Sequence, residues 1–441
     1  MHVTHMKRAS IHTLGCRLNQ SESQTISERL RAAGYAVVPF GEPADLGIIH
    51  TCTVTREADA KARKAIKGFI RANPHAFTVV IGCYAQLGYA ALAAIPGVDA
   101  VIGNQEKLNL LEYVGDRKNA EPLIVRDRIQ RDDFTIDVGT GDLASGPTTR
   151  SNLKIQDGCD FMCTYCVIPF ARGRARSREL GNLIDEARLL AEHGVREIVL
   201  TGVNLGTYAH DGRDIVDVVD ALNALPGLAR IRISSIEPTT IPEGLFDRMA
   251  DPDHALAPYL HIPLQSGANR TLERMHRRYT REEFRAFIEM ADARVPDLCI
   301  GTDVMVGMPG ETDADFNDTR ELIAHSPIAY AHVFKYSERR NTPAVRMPDK
   351  VDPRVMQARG AELRRLSAAK RNAFNARYVG RAVEVLFEQQ DHGHWTGYTG
   401  NYVRAAVRSD QDLTNVIAPV ALTKTLGDIM IGNLHECHCP V

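Results

Sequence analysis

Residues Gln156–Arg178 read QDGCDFMCTYCVIPFARGRARSR. Cys159, Cys163 and Cys166 stand in this stretch as C-x3-C-x2-C, with Gly158 ahead of the first and Tyr165 ahead of the third. A loop this short can wrap three thiolates around one corner of an iron–sulfur cubane, whose full protein ligation usually takes four. Three ligands leave one iron open, and an open coordination position is where a substrate binds a metal site. The competing reading is a structural zinc loop short of its fourth ligand. Such a loop wants a second C-x2-C or a His pair nearby, and none lies near.

Outward from this loop, residues of about 146–375 repeat strand then helix. A strand at Leu153–Ile155 precedes the loop. Others are expected at Glu197–Thr201, Arg230–Ser234, Tyr259–Ile262, Ile300–Val306 and Tyr330–Phe334. Helices fall between them near Arg178–His193, Ile215–Leu225, Arg281–Ala293 and Ala314–Ala324, the first with Ser177 as a candidate cap. Six such units predict a partial barrel, in which the chemistry sits at the carboxyl ends of the strands. The short motifs fall there: Gly202–Asn204, Ser234–Pro238, His261–Gly267 and Gly307–Glu311. Each also has a plain reading, since Gly202 and Gly310 suit tight turns and Pro238 and Pro263 end strands. Arg172, Arg174, Arg176 and Arg178 form a tight cationic run, suited to a carboxylate or a phosphate or simply to solvent.

Toward the N-terminus, residues of about 1–120 alternate strand and helix signals. Strands are expected at Ser10–Leu14, Leu46–Thr51, Thr78–Gly82 and Ala100–Ile102. Helices are expected at Ser21–Ala33, stopped by Gly34, and from about Glu57 to Arg71. This pattern predicts a parallel sheet covered on both faces. Cys16, Cys52 and Cys83 each follow one of its strands. Parallel strands bind ligands at their carboxyl ends, so three thiols distant in sequence should meet at one edge. Their spacing matches no compact zinc loop; the expectation is a second three-thiolate cluster with its own open iron, against three small buried hydrophobes. Residues of about 120–145 read as a linker or loose hairpin.

Beyond about residue 376 the pattern changes to short alternating strands at Ala382–Glu388, Tyr402–Arg408, Ala418–Thr423 and Ile429–Leu434, punctuated by Gly393, Gly397 and Gly400. This predicts a small, self-contained β-barrel, of a type that often binds oligonucleotides. Trp395, Tyr398 and Tyr402 suit base stacking or ordinary core packing equally. Between Lys335 and Arg381, thirteen Lys and Arg face four Asp and Glu, an excess of nine, in a chain of formal net charge −2. That excess is either a solvated helix face or an RNA contact. His435, Cys437, His438 and Cys439 at the end suggest no role in the main chemistry.

At 441 residues the chain has room for two to four domains. No run of eighteen apolar residues predicts a membrane span, and MHVTHMKRAS has no apolar h-region. Nine thinly spread cysteines point to metal or redox chemistry in the cytoplasm rather than a disulfide framework.

At the cluster loop the chain resembles the radical S-adenosylmethionine (SAM) enzymes. The resemblance implies that Cys159, Cys163 and Cys166 hold a 4Fe-4S cluster whose open iron is chelated by SAM, which is cleaved reductively to a 5′-deoxyadenosyl radical. By the same resemblance Tyr165 lies beside adenine, Gly202 and Asn204 meet the methionine amino group, and Ser235 and Glu237 hold ribose and carboxylate. Val306 and Gly307 then lie under adenine. Over nearly its whole length the chain resembles one family, the methylthiotransferases, on the motifs TLGCRLNQSES, TCTVT and QDGCDFMCTYCVIPFARGRARSR. That implies a methylthiotransferase domain over 1–120, a radical SAM domain over 145–375 and an RNA-binding TRAM barrel over 376–441. Within the family it is most similar to the branch that methylthiolates C2 of N6-threonylcarbamoyladenosine in tRNA. Other branches act on isopentenyladenosine or on a ribosomal protein aspartate, and their starts, GC-Q-M-N and GC-P-K-N types, differ from Arg17–Gln20. The implied cofactors are two 4Fe-4S clusters and SAM. The implied partners are tRNA, a reducing electron donor such as flavodoxin or ferredoxin, and a sulfur donor. A different radical SAM modification, including one of protein, and a non-catalytic RNA-binding metalloprotein are the readings of other classes.

Overall fold

Two strands of the N-terminal region, Leu46–Thr51 and Phe77–Gly82, are buried along their whole length, as parallel strands covered on both faces must be. The computed structural model describes residues 6–137 and 149–435. The first unit runs β1 (Arg8–Thr13), α1 (Arg17–Ala32), β2 (Ala36–Val38), β3 (Leu46–Thr51), α2 (Arg56–Ala72), β4 (Phe77–Gly82), α3 (Cys83–Ala93), β5 (Ala100–Ile102) and β6 (Leu123–Val125). Its strands form one parallel sheet in the order β2-β1-β3-β4-β5-β6. Helix α1 begins at Arg17 rather than Ser21, so Cys16 occupies its N-cap. Of the buried residues in its early turns only Leu18 is apolar, while Asn19, Ser21, Glu22 and Ser23 are polar, so no apolar period marks this start.

The central unit begins with β7 (Arg150–Lys154) and β8 (Gln156–Asp157), then the cluster loop, α4 (Ile168–Arg172) and β9 (Arg176–Ser177). Strands β8 and β9 pair antiparallel and close the ends of the loop on one another. There follow α5 (Leu180–Glu192), β10 (Glu197–Thr201), α6 (Ile215–Asn223), β11 (Arg230–Ile233), α7 (Gly244–Ala250), β12 (Tyr259–His261), α8 (Asn269–Arg274), α9 (Arg281–Arg294), β13 (Cys299–Val306), α10 (Asp313–Ala324), β14 (Ile328–Lys335) and α11 (Pro353–Ala376). The long strands form two parallel halves, β7-β10-β11 and β12-β13-β14. A bridge from Ile231 to Leu256 and the Ile236 N–H donating to the His261 carbonyl at 3.2 Å join them into an open partial barrel. Full capping boxes start α6, α9 and α10 at Asp214, Thr280 and Thr312. Ser177 does not cap α5: the cap position is Glu179, and the Ser177 hydroxyl accepts from the Ala209 N–H at 2.9 Å.

The basic stretch folds largely into α11, whose buried residues include Arg359, Gly360, Ser367 and Asn375. Arg359 pairs with Glu311 and Asp313, Arg339 with Asp59 and Arg381 with Asp297. Three of the thirteen cations are therefore neutralised by acids elsewhere in the chain, while Lys335, Arg340, Arg346, Arg354, Arg364, Arg365 and Arg377 remain exposed.

The last unit is a closed barrel, β15 (Ala382–Asp391), β16 (His394–Tyr398), β17 (Arg404–Val407), β18 (Ile417–Leu426) and β19 (Ile429–Leu434), closed in the order β15-β16-β17-β19-β18. It is not self-contained. Its core includes Tyr259, Cys299, Ala329 and Tyr330, which stand at the amino ends of central strands. Arg230 and Arg232 donate to the Tyr398 and Gly400 carbonyls at 3.1 and 2.8 Å. The barrel thus caps the end of the central unit opposite the cluster loop. Trp395 packs in the barrel core. Tyr398 and Tyr402 stack on each other at 4.8 Å under the guanidinium groups of Arg150 and Arg232, so these aromatics serve packing rather than base stacking. The Gly139–Gly141 and Ser145–Pro147 part of the linker and the tail residues Cys437, His438 and Cys439 lie outside the described residues. Among the described residues no helix is long and apolar enough to cross a membrane.

Candidate active site

The cluster loop turns on Gly158. Its φ of +72° is disfavoured for side chains, and a Cβ there would lie 1.9 Å from the Arg174 carbonyl oxygen. From this pivot the loop brings Cys159, Cys163 and Cys166 to one wall of a cavity of about 320 Å³. Backbone amides aim at the sulfurs: Phe161 N–H at Cys159 Sγ (3.3 Å) and Ile168 N–H at Cys166 Sγ (3.4 Å). Arg277 Nη1 approaches Cys163 Sγ at 3.5 Å. Donors so placed favour thiolates over thiols. Without metal, burial pushes the Cys159 thiol up to about 11 and the Cys166 thiol up to about 12. Metal must therefore displace protons to bind here.

Asn204, Ser235 and Glu237 line the same cavity, with Tyr165 between the second and third cysteines. Each comes from the carboxyl end of a central strand or from the cluster loop. Arg277 forks onto Glu237 and also reaches the Tyr279 hydroxyl. Burial pushes the Glu237 carboxyl up, and the Arg277 guanidinium opposes that shift. Gln156 Oε1 accepts the N–H groups of Val203 and Asn204 at 2.8 and 3.1 Å, tying the turn after β10 to the start of the loop. Gly202, Val306 and Gly307 do not line the cavity; their neighbours Val203 and Met305 do. Gly307 instead packs at Met356, and its N–H donates to Glu311. Arg277, Gln156 and Asp303 were missed in the sequence. Arg277 sits in the connection between α8 and α9, where no motif marks it.

Cys16, Cys52 and Cys83 follow β1, β3 and β4, which are adjacent parallel strands, and so come to one sheet edge. Gly15 is needed for the approach: at φ +108°, its Cβ would lie 2.6 Å from Cys52 Cβ. Cys52 and Cys83 are buried and Cys16 is exposed, leaving an open side. Burial, with Cys83 nearby, pushes the Cys52 thiol up to about 12. Asn104 Nδ2 donates to Cys83 Sγ at 3.6 Å and to the Ala171 carbonyl at 2.6 Å, linking this edge to α4. Among the described residues no three His, Cys, Asp or Glu side chains converge on a single metal ion. Cubane ligands each hold a different iron, so a cluster site need not show such a convergence.

Between the triads lies a charge network with almost no exposure. Glu22 accepts from Lys107 (2.6 Å), Lys154 (2.7 Å) and both Arg172 Nη atoms (3.1 Å). Arg172 also donates to Asp157 (3.0 Å) and Asn19 (2.7 Å). Burial alone would raise Glu22, but Arg172, Lys107 and Lys154 hold it well below the usual carboxylate range. His50 Nε2 lies 3.5 Å from Glu22, yet burial and the Lys107 charge push the imidazole down to about 3, so it stays neutral. Three cations (Arg172, Lys107, Lys154), with Arg176 3.5 Å from Asp157 at the edge of the network, then face two carboxylates (Glu22, Asp157), an excess of positive charge beside Cys83. Buried charge is costly unless matched, and an anion at the Cys16, Cys52, Cys83 edge would match it. The arginine run after the loop is thus mostly structural. Arg172 belongs to this network, Arg178 is buried on Glu186 and Asn182, and Arg176 approaches Asp157. Only Arg174 is exposed.

A family model described as the radical SAM superfamily matches residues 153–323, and one described as uncharacterized protein family UPF0004 matches residues 8–103. Threonylcarbamoyladenosine tRNA methylthiotransferase MtaB of Bacillus subtilis (strain 168) is 37% identical over 433 residues, 95% of this chain and 94% of that protein. The protein of the same name from Aquifex aeolicus (strain VF5) is 36% identical over 386 residues, 87% of this chain and 93% of that protein. The solved radical S-adenosylmethionine methyltransferase TsrM of Kitasatospora setae shares the fold, with a TM-score of 0.56 at 15% identity over 77% of each chain. With two thiol triads in place and relatives this similar end to end, the chain belongs to the radical SAM tRNA methylthiotransferase family.

Proposed function

We propose that this chain adds a methylthio group to C2 of N6-threonylcarbamoyladenosine next to the anticodon of tRNA, in the cytoplasm. One observation carries the reading. Val54 and Thr55, two and three residues after Cys52, line the same cavity as Cys159, Cys163 and Cys166, so the two triads serve one reaction space. In this reading Cys159, Cys163 and Cys166 hold the cluster that binds SAM, and Cys16, Cys52 and Cys83 hold a second, sulfur-carrying one. When bound, the first cluster and SAM supply the hydrogen-abstracting radical that an unactivated aromatic C–H requires.

The chain's own residues do the rest. Asn204, Ser235, Glu237 and Arg277 orient the polar groups of SAM, Tyr165 packs against its adenine, and Gly202, Val306 and Gly307 shape the backbone behind them. Phe161, Ile168, Met305 and Phe334 keep water from the reacting atoms. Arg172 and Lys107 balance the negative charge of the sulfur site. Residues 1–120 form the sulfur-donating domain, 145–375 the radical domain and 376–441 a TRAM-type barrel that holds RNA. A reducing carrier such as flavodoxin or ferredoxin supplies electrons, and a separate sulfur donor replenishes the second cluster.

The test is a Cys52→Ala variant, reconstituted anaerobically and assayed with tRNA. Reductive SAM cleavage should persist while the methylthio nucleoside vanishes from the tRNA digest. Full methylthiolation by this variant would remove Cys52 from the chemistry. Unchanged nucleosides in cells lacking the chain would overturn the tRNA reading itself.

A further inference from the structure

The loop that holds Cys159, Cys163 and Cys166 has a second side. Cys159, Phe161, Cys163 and Tyr165–Ile168 face the SAM cavity. Met162, Pro169, Phe170, Gly173 and Arg174 instead line a separate open groove of about 560 Å³, and the two share no lining residue. The far wall of this groove comes from the segment after β6, with Arg126, Arg128 and Arg131. Four arginines therefore line it against one carboxylate, Asp127; Arg126 lies over the Tyr89 ring at 4.6 Å, and Arg174 meets Asp160 at 3.4 Å. Two of its lining side chains are large, apolar and in solvent, Met162 at 44% exposure and Phe170 at 41%. Neither packs a core, and the function described so far uses none of these residues.

We infer that this groove is the docking surface for an acidic one-electron carrier protein, which reduces the cluster from the side opposite SAM. Exposed apolar side chains flanked by charged ones are what a protein interface presents. The cationic lining selects an acidic partner and speeds its arrival. Position favours a redox protein over RNA. Met162 is bonded to the cluster ligand Cys163, and Phe170 lies one helical turn beyond Cys166, so a carrier here touches the element that holds the cluster. The substrate base, by contrast, must enter the other cavity, whose lining includes Val54, Thr55 and Lys335. One electron passes in each encounter: the carrier loses one, the cluster gains one, and no bond forms or breaks.

The inference rests on the radical SAM reading above, and its test separates the two. The full-length, reconstituted protein and an R126E/R128E/R131E variant are titrated with an oxidised acidic flavodoxin, with an oxidised acidic ferredoxin and with tRNA. Dithionite-driven SAM cleavage is followed in parallel, since that small reductant needs no docking surface. The variant should bind the carrier at least tenfold more weakly and with a flatter salt dependence. Its tRNA affinity and its dithionite-driven cleavage should match wild type, which also shows that it folds. A Phe170→Ala variant should weaken carrier binding without changing the salt slope. The inference is overturned if wild type binds neither carrier at low salt, or if the triple variant binds the carrier as wild type does. It is also overturned if tRNA affinity falls while carrier binding holds, which would make the groove an RNA surface. Loss of dithionite-driven cleavage in wild type would instead refute the radical SAM assignment and leave the binding measurements standing.

Discussion

Replacing Glu22 by Gln changes one oxygen to an amide nitrogen and removes the charge at the centre of the buried network. In the wild type the cations already outnumber the two carboxylates; in the variant Arg172, Lys107, Lys154 and Arg176 face Asp157 alone, so the buried excess rises by one. Glu22 has no exposure and holds all three cations within 3.1 Å. Removing one partner of a buried ion pair costs about 3–5 kcal/mol. Arg172→Met is the matched control. It lowers the buried cation excess by one instead of raising it, and costs about 1.5–3 kcal/mol for lost charge-assisted hydrogen bonds. In cluster-free protein Glu22→Gln should therefore be the more damaging change. Hydrogen exchange across α1 measures it, because α1 carries Asn19 and Glu22 into the contact with Arg172. The pH dependence follows from Lys107, which burial and Arg172 push down to about 8 from 10.5. A lysine whose folded value is depressed penalises the fold while charged, below that value, and the penalty lifts as pH rises through it. Removing Glu22, which supports the charged form, lowers it further, so the gap between variant and wild type should be widest near pH 7 and shrink by pH 9. If Arg172→Met loosens α1 as much as Glu22→Gln in the cluster-free state, the charge count is wrong.

Two further changes test other parts of the structure. Gly158→Ala places a methyl group 1.9 Å from the Arg174 carbonyl at a φ of +72°, forcing apart the β8–β9 clamp. Reconstituted wild type should hold about eight iron and the variant about four, with the N-terminal cluster kept; wild-type iron content in the variant would show that the clamp does not form the site. Glu28 is pushed up to about 7 by burial and by the Glu186 charge. Its folded value lies above its unfolded one, so its stability contribution falls as pH rises from 4.5 toward 7. Glu28→Gln should then raise stability at pH 8 by ~1–2 kcal/mol, after discounting for partial exposure, and change nothing at pH 4; equal denaturation midpoints at pH 8 would contradict this.

The cysteine triads were legible in the sequence because ligand chemistry is local. Cys159, Cys163 and Cys166 declare themselves by spacing, and Cys16, Cys52 and Cys83 by following apolar runs. Strands Leu46–Thr51, Ala100–Ile102, Glu197–Thr201 and Ile429–Leu434 stand where expected. The first three belong to parallel sheets, whose burial on both faces demands unbroken apolar stretches; in the fourth, Met430 and Gly432 alone are buried. What only the tertiary structure decided is where charge is buried. Arg172 and Glu22 are 150 residues apart, and nothing local marks either as interior, since a lone arginine or glutamate is exposed by default. They go inside only because each finds its counter-charge there, and that pairing exists only once the first two units dock. The docking of the barrel follows the same rule. Its strands were readable from alternation, but Arg230 and Arg232 reach its carbonyls, and Tyr398 and Tyr402 turn inward, through contacts that cross 168 residues of chain. A sequence sets which residues can bind metal; the packing of its units sets which charges, aromatics and surfaces remain to meet a partner.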